Sequence, residues 1–426
     1  MVTMALQIVG IGDIHLRSTS SRNAERLRAL DQTLQEGSRL PHLAAWILLG
    51  DVFDARSTVD DRNTLKDYLR SLAAHAPVVI VQGNHCAPGD LDIFGELSGR
   101  WPIHVVTNPR IVDVSGPTGH DLHVACLPYP HRASLVAAGT DRSEILDVGM
   151  QALQGTCRGL AAELAVARSR GGLGLFAGHV NVEGSIASNG QPSIGKELSI
   201  TTEMLRMFGD VPQILGHIHL PQQIGTAHYV GSVSPCDWGE TEQKRYVTVS
   251  FDDAPATPDD VVDGRYQYVI ESHPLDIARM WHVEGEYSRE SGFSWRVRKG
   301  PGGAVDAPPA TWAGAEVRVR YQFAASERGM FEASGIREIF KDATRLEIEP
   351  IAVPDRGLRA PEVQAAKTLG DKLGAWARLN NTVTPDGVYE KLALLEHDDT
   401  GSVLAEVTAH VDILEHGQLV AVKRAA

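Results

Sequence analysis

The sequence has few cysteines and no long apolar runs. Its cysteines are far apart and include no CxxC pair: Cys86, Cys126, Cys157 and Cys236. This spacing predicts free thiols in a reducing compartment rather than a disulfide framework. No apolar run approaches the roughly 18 residues that span a bilayer, so we predict no membrane association. The N-terminal apolar stretch has no basic residues before it and is interrupted by Asp13, which argues against a signal peptide and predicts a cytoplasmic location.

An excess of positive charge is also lacking. The formal net charge of the 426 residues is −14 at pH 7, whereas a protein whose whole surface binds nucleic acid is usually basic. A local groove or a bound metal can still supply a positive field, so charge neither supports nor excludes a nucleic-acid partner. The composition, 43% hydrophobic and 22% charged, is typical of a globular protein. At about 150 residues per domain, the length predicts two or three domains.

The first 250 residues alternate short apolar runs with helical patterns. Strands are predicted at 5–11, 44–50, 77–83, 103–107, 122–127, 173–178, 212–215 and 245–251, and helices at 22–36, 59–75 and 143–169. An order that begins strand, helix, strand, helix, strand is typical of an α/β layer fold.

Two composition changes divide the rest of the chain. The acidic, proline-containing stretch 252–264 predicts a linker, and the pattern changes again after Pro354. Between them we predict strands at 265–271 and 315–321 and a helix at 335–343, and after them helices at 361–381 and 385–397. The predicted domains are therefore 1–253, 263–353 and 359–426.

Polar side chains follow five of the predicted strands. The segments are IGDIHL with Asp13 and His15, LLGDVFD with Asp51 and Asp54, VQGNHC with Asn84 and His85, LFAGHV with His179, and ILGHIHL with His217 and His219. Residues at the carboxyl end of a strand are held by the sheet but face an open crevice, where ligands of α/β folds bind. Residues two apart in an extended chain point the same way, so the first and last segments can each direct two side chains to one place.

Carboxylate, amide and imidazole groups in one cluster suit Mn²⁺, Fe²⁺ or Zn²⁺. Two such ions bridged by one carboxylate can stabilise both the attacking and the leaving oxygen of a phosphate ester. One Asp or His at a strand end is most often a cap or a surface group, but five ordered segments favour a metal centre. A metal-free relative that has kept the pattern is the main alternative.

The ordered pattern DxH, GDxxD, GNH, GH and GHxH resembles the calcineurin-like metallophosphoesterase superfamily. The segments GDVFD, LPYP (127–130) and GSVSPCDWGETEQKRYVTV (231–249) are similar to those of SbcD/Mre-type nuclease subunits within it. The resemblance is strong to about residue 250, weaker to 350, and limited to layout beyond that. It implies an α/β fold with a β-sandwich flanked by helices, followed by a small α+β capping domain and a C-terminal helical segment.

The resemblance also implies roles for the residues of the pattern. Asp13, His15, Asp51 and His219 would hold one divalent ion, with Asp51 bridging to a second ion that is completed by Asn84, His179 and His217. His85 would be a catalytic residue rather than a ligand, placed over the scissile phosphate to stabilise or protonate the departing oxygen. Asp54 would orient a ligand, with a surface cap as an equal alternative. Cys86 stands where many relatives have Asp, and we interpret it as a packing residue.

The implied activity is two-metal hydrolysis of DNA, exonucleolytic at duplex ends and endonucleolytic at hairpins or single strands. Mn²⁺ is the expected activator, with Mg²⁺, Fe²⁺ or Zn²⁺ as alternatives. The implied partners are a second copy of the chain and an SbcC-type ABC ATPase with a coiled coil, which would dock on the helices of 361–397. The alternative functions are a small-molecule phosphodiesterase or phosphatase on the same metal core and a non-catalytic DNA-end scaffold.

Overall fold

The structure, a computed structural model, describes residues 4–131, 145–188, 197–252, 267–300, 307–328, 334–354 and 360–397. The chain divides into two compact units, Met1–Gln322 with Gly329–Ile351, and Phe323–Arg328 with Ala352–Ala426. The proposed division into three domains stays a prediction. The predicted linker at 252–264 lies, apart from its first residue, outside the described residues.

The described strands are β1 Met4–Ile11, β2 Leu43–Leu48, β3 Val78–Val81, β4 Ile103–Val106, β5 Arg110–Ser115, β6 Asp121–Leu127, β7 Leu173–His179, β8 Asn181–Val182, β9 Ser199–Ile200, β10 Gln213–Gly216, β11 Gln222–Ile224, β12 Ala227–Tyr229, β13 Arg245–Asp252, β14 Tyr268–Pro274, β15 Arg279–Ser288, β16 Gly292–Lys299, β17 Ala315–Ala324 and β18 Arg345–Val353. The described helices are α1 Asn23–Gly37, α2 Val59–Ala73, α3 Asp92–Gly95, α4 Ile145–Arg168, α5 Thr202–Arg206, α6 Ser334–Ile339, α7 Pro361–Ala365, α8 Leu369–Leu379 and α9 Asp386–His397.

Two six-stranded sheets form the larger part of the first unit. Their strand orders are β14-β13-β1-β2-β3-β4 and β11-β12-β10-β7-β6-β5. Strands β1 to β4 run parallel, as do β6, β7, β10 and β12, and antiparallel strands close the edges. A third sheet, β16-β15-β17-β18, belongs mainly to the same unit.

Burial on both faces explains why the central strands consist of unbroken apolar runs. In β3, Val79 and Val81 pack between the two large sheets, whereas Val78 and Ile80 pack on the opposite face against α1 and α2. Since successive side chains of a strand point to opposite faces, a strand buried on both faces needs apolar residues at every position. Helices α4 and α5 cover the outer face of the second sheet through Phe176 and its neighbours.

The predicted α/β fold class is confirmed, with two sheets packed face to face between helices. The predicted strands of the first 250 residues all form within a few residues of their expected bounds. The sequence pattern missed the three-residue strands β11 and β12, because they are too short to show a period.

The prediction of one helix at 361–381 is wrong. The chain forms α7 and α8 instead, because Ala366 adopts an extended conformation with ψ of 134°. Thr368 then begins α8 as its N-cap, and its side chain accepts a hydrogen bond from the amide of Asp371 at 3.0 Å. The side chains of Trp376 and Leu379 on α8 remain about half exposed, at 47% and 52%.

Among the described residues, no helix is both long and apolar enough to cross a membrane.

Candidate metal centre

The predicted site residues lie where five strands of the two large sheets end. β1 leads into Asp13, β2 into Asp51 and β3 into Asn84, while β7 ends at His179 and β10 ends directly before His217. The side chains of Asp13 and His179 are fully buried, and that of Asp51 is 2% exposed. The site therefore lies at the carboxyl ends of parallel strands, where α/β folds bind ligands.

One group of donor atoms is formed by Asp13, His15, Asp51 and His219. The Nε2 atoms of His15 and His219 lie 3.0 Å apart, and His15 Nε2 lies 3.9 Å from Asp51 Oδ2. One donor atom each from Asp13, His15 and Asp51 can be chosen within 4.8 Å of one another. These four residues are the ones that the resemblance assigns to the first ion.

A second group is formed by Asn84, His179 and His217 together with Asp51. Asn84 Oδ1 lies 2.9 Å from His179 Nε2 and 3.0 Å from His217 Nδ1. The Nε2 atom of His179 also lies 3.2 Å from Asp51 Oδ2. Asp51 thus belongs to both groups, as a bridging carboxylate would.

The chemistry of the second group fits a cation. The Nδ1–H of His179 donates to the carbonyl oxygen of Leu49 at 2.7 Å, so Nε2 of the neutral ring carries a lone pair. That lone pair meets oxygen lone pairs of Asn84 and Asp51, which repel one another unless a positive charge lies between them. Burial lowers the pKa of His179, but the nearby Asp51 carboxylate outweighs burial and raises it. A divalent ion supplies the positive charge that a proton would otherwise bring.

Backbone strain is concentrated in this site. Positive φ angles occur at Asp13 (28°), His15 (54°), Asp51 (43°) and His217 (89°). Among the described non-glycine residues, only Asn381 shares this conformation. Such a conformation costs about 1–3 kcal/mol per residue and persists where function requires it.

The Asp51 side chain fits beside residue 83 because that residue is glycine and has no Cβ. A Cβ at this position would lie 2.1 Å from Asp51 Oδ1, which is closer than real contacts allow. The glycine therefore lets β3 pass the carboxylate shared by both groups.

A buried ionic network binds the Nδ1 atom of His219. His219 Nδ1 donates to Glu240 Oε1 at 2.7 Å, and Ser232 Oγ donates to the other Glu240 oxygen at 3.1 Å. The ammonium of Lys244, which is fully buried, contacts Glu240 and donates to Ser232 Oγ at 2.7 Å. Burial alone would raise the pKa of Glu240, but Lys244 holds it below its usual range. The network fixes the tautomer that leaves His219 Nε2 free to bind a metal.

We expect Glu240→Gln to weaken metal binding about 10–100-fold, because the amide no longer fixes the His219 ring as a carboxylate does. The measurement is a metal titration by calorimetry. Glu163→Gln on the exposed face of α4 is the matched control and should bind metal as the unaltered protein does. Unchanged affinity in Glu240→Gln would show that the network only supports the fold.

The resemblance gives His85 no place among the ligands of either ion, although one donor atom each of His15, Asp54 and His85 lies within 4.8 Å of the others. Its backbone amide donates to Asp51 Oδ1 at 2.8 Å, and its exposed ring lies 4.9 Å from the ring of His15. The ring Nδ1–H donates to the carbonyl oxygen of Asp54 at 2.9 Å. Nε2 is therefore the ring nitrogen left to meet a substrate.

Asp54 contacts His15, which belongs to the first donor group, and Arg17, which does not. Its Oδ1 lies 3.4 Å from His15 Nδ1, and its Oδ2 accepts from the Arg17 guanidinium at 3.0 Å. Hydrogen bonding to His15 holds the pKa of Asp54 below its usual range. The contact with His15 places Asp54 where it can orient that ring, and the contact with exposed Arg17 is compatible with the surface-cap alternative, so both interpretations stay open.

Cys86 points away from the donor groups into the core. It is 2% exposed, and burial raises the pKa of its thiol to about 12. The loop gains its support from Asp51, which binds the His85 amide, and from Asp90, which accepts from the Ser57 amide at 2.7 Å. Asp92 makes no such contact among the described side chains.

Sequence reasoning missed two neighbours of His217. Glu197 Oε2 lies 3.0 Å from His217 Nε2, and the ring of Tyr129 lies 5.4 Å from the ring of His217. Tyr129 belongs to the LPYP segment, so that motif could have indicated its place near the site. Glu197 lies in none of the motifs, so the sequence offered no signal for it.

Comparison with known proteins identifies the class. The pattern of the calcineurin-like phosphoesterase family matches residues 6–221, just over half of the chain. The chain belongs to this family and is a hydrolase of phosphodiester bonds that uses divalent metal ions. It is also 25% identical over 400 residues to the SbcD subunit of nuclease SbcCD from Bacillus subtilis (strain 168), an alignment that covers 86% of this chain and 95% of that protein. Both findings confirm the resemblance that the motifs predicted.

Proposed function

We propose that the protein is a metal-dependent DNA nuclease, the SbcD-like subunit of a DNA repair or recombination complex. The observation that carries the proposal is the length of the similarity to the Bacillus subtilis nuclease subunit. It extends well beyond the 6–221 phosphoesterase region and includes the segment that holds the Glu240–Lys244 network. Exonuclease action on duplex ends and endonuclease action on hairpins or single strands form part of the proposal.

The proposed ligand sets follow the two donor groups. Asp13, His15, Asp51 and His219 would hold one ion, and Asp51, Asn84, His179 and His217 the other. When bound, such ions supply Lewis-acid stabilisation of the charge that develops on a phosphate ester during hydrolysis. We propose Mn²⁺, with Mg²⁺, Fe²⁺ or Zn²⁺ as alternatives, because the donors mix carboxylate and amide oxygens with imidazole nitrogens.

His85 is the proposed catalytic acid. Its Nδ1 is engaged by the carbonyl of Asp54, which fixes the ring and leaves Nε2 for the departing oxygen of the substrate. The exposure of this ring, in contrast to the buried His179, suits a residue that meets substrate rather than metal.

We also propose that two copies of the chain act with an SbcC-type ABC ATPase. The exposed apolar side chains of α8 support a docking role for this segment, because Trp376 and Leu379 are about half exposed. Aromatic side chains of this kind are common anchors of protein interfaces.

The test is a nuclease assay on blunt duplex, hairpin and single-stranded DNA with each metal, with and without the ATPase. Cleavage that depends on the added metal and shifts with the ATPase is the expected result. Hydrolysis of a small phosphodiester but of no DNA, even with the ATPase present, would favour the small-molecule phosphodiesterase instead.

A further inference from the structure

A cavity of about 660 Å³ lies beside the metal centre. We call it the arginine cavity, because five arginines line it: Arg17, Arg22, Arg26, Arg318 and Arg345. The acidic side chains in its wall are Asp54 and Asp237. Its volume is that of a site for a small ligand or one segment of a larger one.

Four of the five arginines already have carboxylate partners. Arg17 pairs with Asp54 at 3.0 Å, and Arg22 pairs with Glu25 at 3.3 Å and also contacts Glu316. Arg318 and Arg345 pair with acidic residues of β18. These pairs hold the wall in place.

Arg26 is the exception. Its side chain is nearly buried, at 3% exposure, and its Nε and Nη1 atoms have no hydrogen-bond partner in the described part of the chain. Its Nη2 atom lies 3.9 Å from the sulfur of Cys236, a weak acceptor. Its charge acts on the Asp54 carboxylate and helps to lower the pKa of that group, but Nε and Nη1 donate to no oxygen among the described residues. Buried guanidinium N–H groups without acceptors are costly, so their retention indicates an anion that accepts from them.

The Trp238 ring in the cavity wall is already in contact with arginines. The guanidinium groups of Arg22 and Arg345 cover the ring of Trp238, at 5.9 Å and 5.1 Å from its centroid. The Nε1–H of Trp238 donates to Glu347 at 2.7 Å. The ring thus positions the arginines by cation–π contact and is not free to stack on a base.

The arginine cavity adjoins the metal centre through Cys236 and Asp54. The Cys236 sulfur and one donor nitrogen each of His15 and His219 lie within 4.8 Å of one another. Asp54 lines the cavity and also contacts His15. An anion bound by Arg26 would therefore lie close to a phosphate at the metal centre.

We propose that the arginine cavity binds a phosphate of the DNA strand next to the phosphate that is hydrolysed, with Arg26 as its main ligand. The proposal rests on the nuclease function and adds a recognition site to it. Guanidinium groups bind phosphate oxygens with paired, charge-assisted hydrogen bonds, so the cavity would hold a strand without reading its sequence.

The test compares three thymidine substrates: a dinucleotide with one phosphodiester, the same dinucleotide with a 5′-phosphate, and a trinucleotide with two phosphodiesters. We expect Arg26→Gln to lower kcat/KM about ten-fold more on the substrates with a neighbouring phosphate than on the plain dinucleotide, as expected for one lost hydrogen bond between charged groups. Arg26→Lys should recover part of this difference. If Arg26→Gln lowers kcat/KM mainly on the 5′-phosphorylated dinucleotide, the cavity binds a terminal phosphate. If it lowers kcat/KM mainly on the trinucleotide, the cavity binds an internal phosphate.

The matched control is Arg28→Gln, which removes an exposed arginine from the same helix α1 and should not change the ratio between substrates. Two results would overturn the cavity proposal alone. The first is an equal loss of kcat/KM on all three substrates in Arg26→Gln. The second is an equal effect of Arg26→Gln on the normal trinucleotide and on one whose neighbouring phosphate is replaced by a neutral methylphosphonate. If the unaltered protein cleaves a small aryl phosphodiester but none of the nucleotides, the nuclease function and the cavity proposal fail together.

Discussion

Replacing His85 by alanine is expected to lower kcat on a DNA substrate by about 10²–10⁴-fold, the usual contribution of a positioned general acid. The metal content should stay unchanged, because we propose no ligand role for the His85 ring and only its backbone amide contacts Asp51, which alanine preserves. Single-turnover cleavage measures the first effect, and elemental analysis of the purified protein measures the second.

His75→Ala is the matched control for this experiment. His75 is exposed in the turn after α2 and lies outside the site, so its loss should leave cleavage unchanged. Retained DNA cleavage in His85→Ala would contradict the catalytic role, and an unchanged role in the cell despite lost cleavage would favour the DNA-end scaffold.

Replacing Asp51 by asparagine is expected to remove metal binding and to lower activity by about 10³-fold or more, since metal ions stabilise the transition state by several kcal/mol. Asparagine keeps the shape and the acceptor for the His85 amide but loses the charge that both donor groups share. The unaltered protein should gain unfolding temperature when Mn²⁺ is added, because a ligand that binds the folded state stabilises it. The variant should show almost no such gain in a thermal melt.

Asp113→Asn provides the charge-matched control, because Asp113 is exposed on β5 and contacts His123 rather than the site. Its melting temperature should rise with Mn²⁺ as in the unaltered protein. If Asp51→Asn keeps a full metal complement, Asp51 does not bridge the two groups.

The sequence motifs predicted at which strand ends the candidate site residues lie. Each motif joins a strand end to a glycine and a polar side chain, so local sequence carries both the position and the chemistry of residues such as Asp13 and His179. The edge strand β11 and its neighbour β12 could not be found, because each has only three residues, too few for an alternating pattern to mark a strand. The break between α7 and α8 was missed because the apolar spacing continues across it, while the backbone of Ala366 turns away from the helix.

The sequence by itself determined the α/β layers and the chemical types at the strand ends, since both depend on local periodicity and on the side chains themselves. The motif resemblance already implied that Asp51 bridges, and the tertiary structure gave its distances to both donor groups. Only the tertiary structure decided that Glu240 and Lys244 support His219. It alone also showed that the buried Nε and Nη1 atoms of Arg26 have no hydrogen-bond partner among the described residues. These facts depend on the distances between segments far apart in the chain, which the packing of two sheets sets and which no local pattern records.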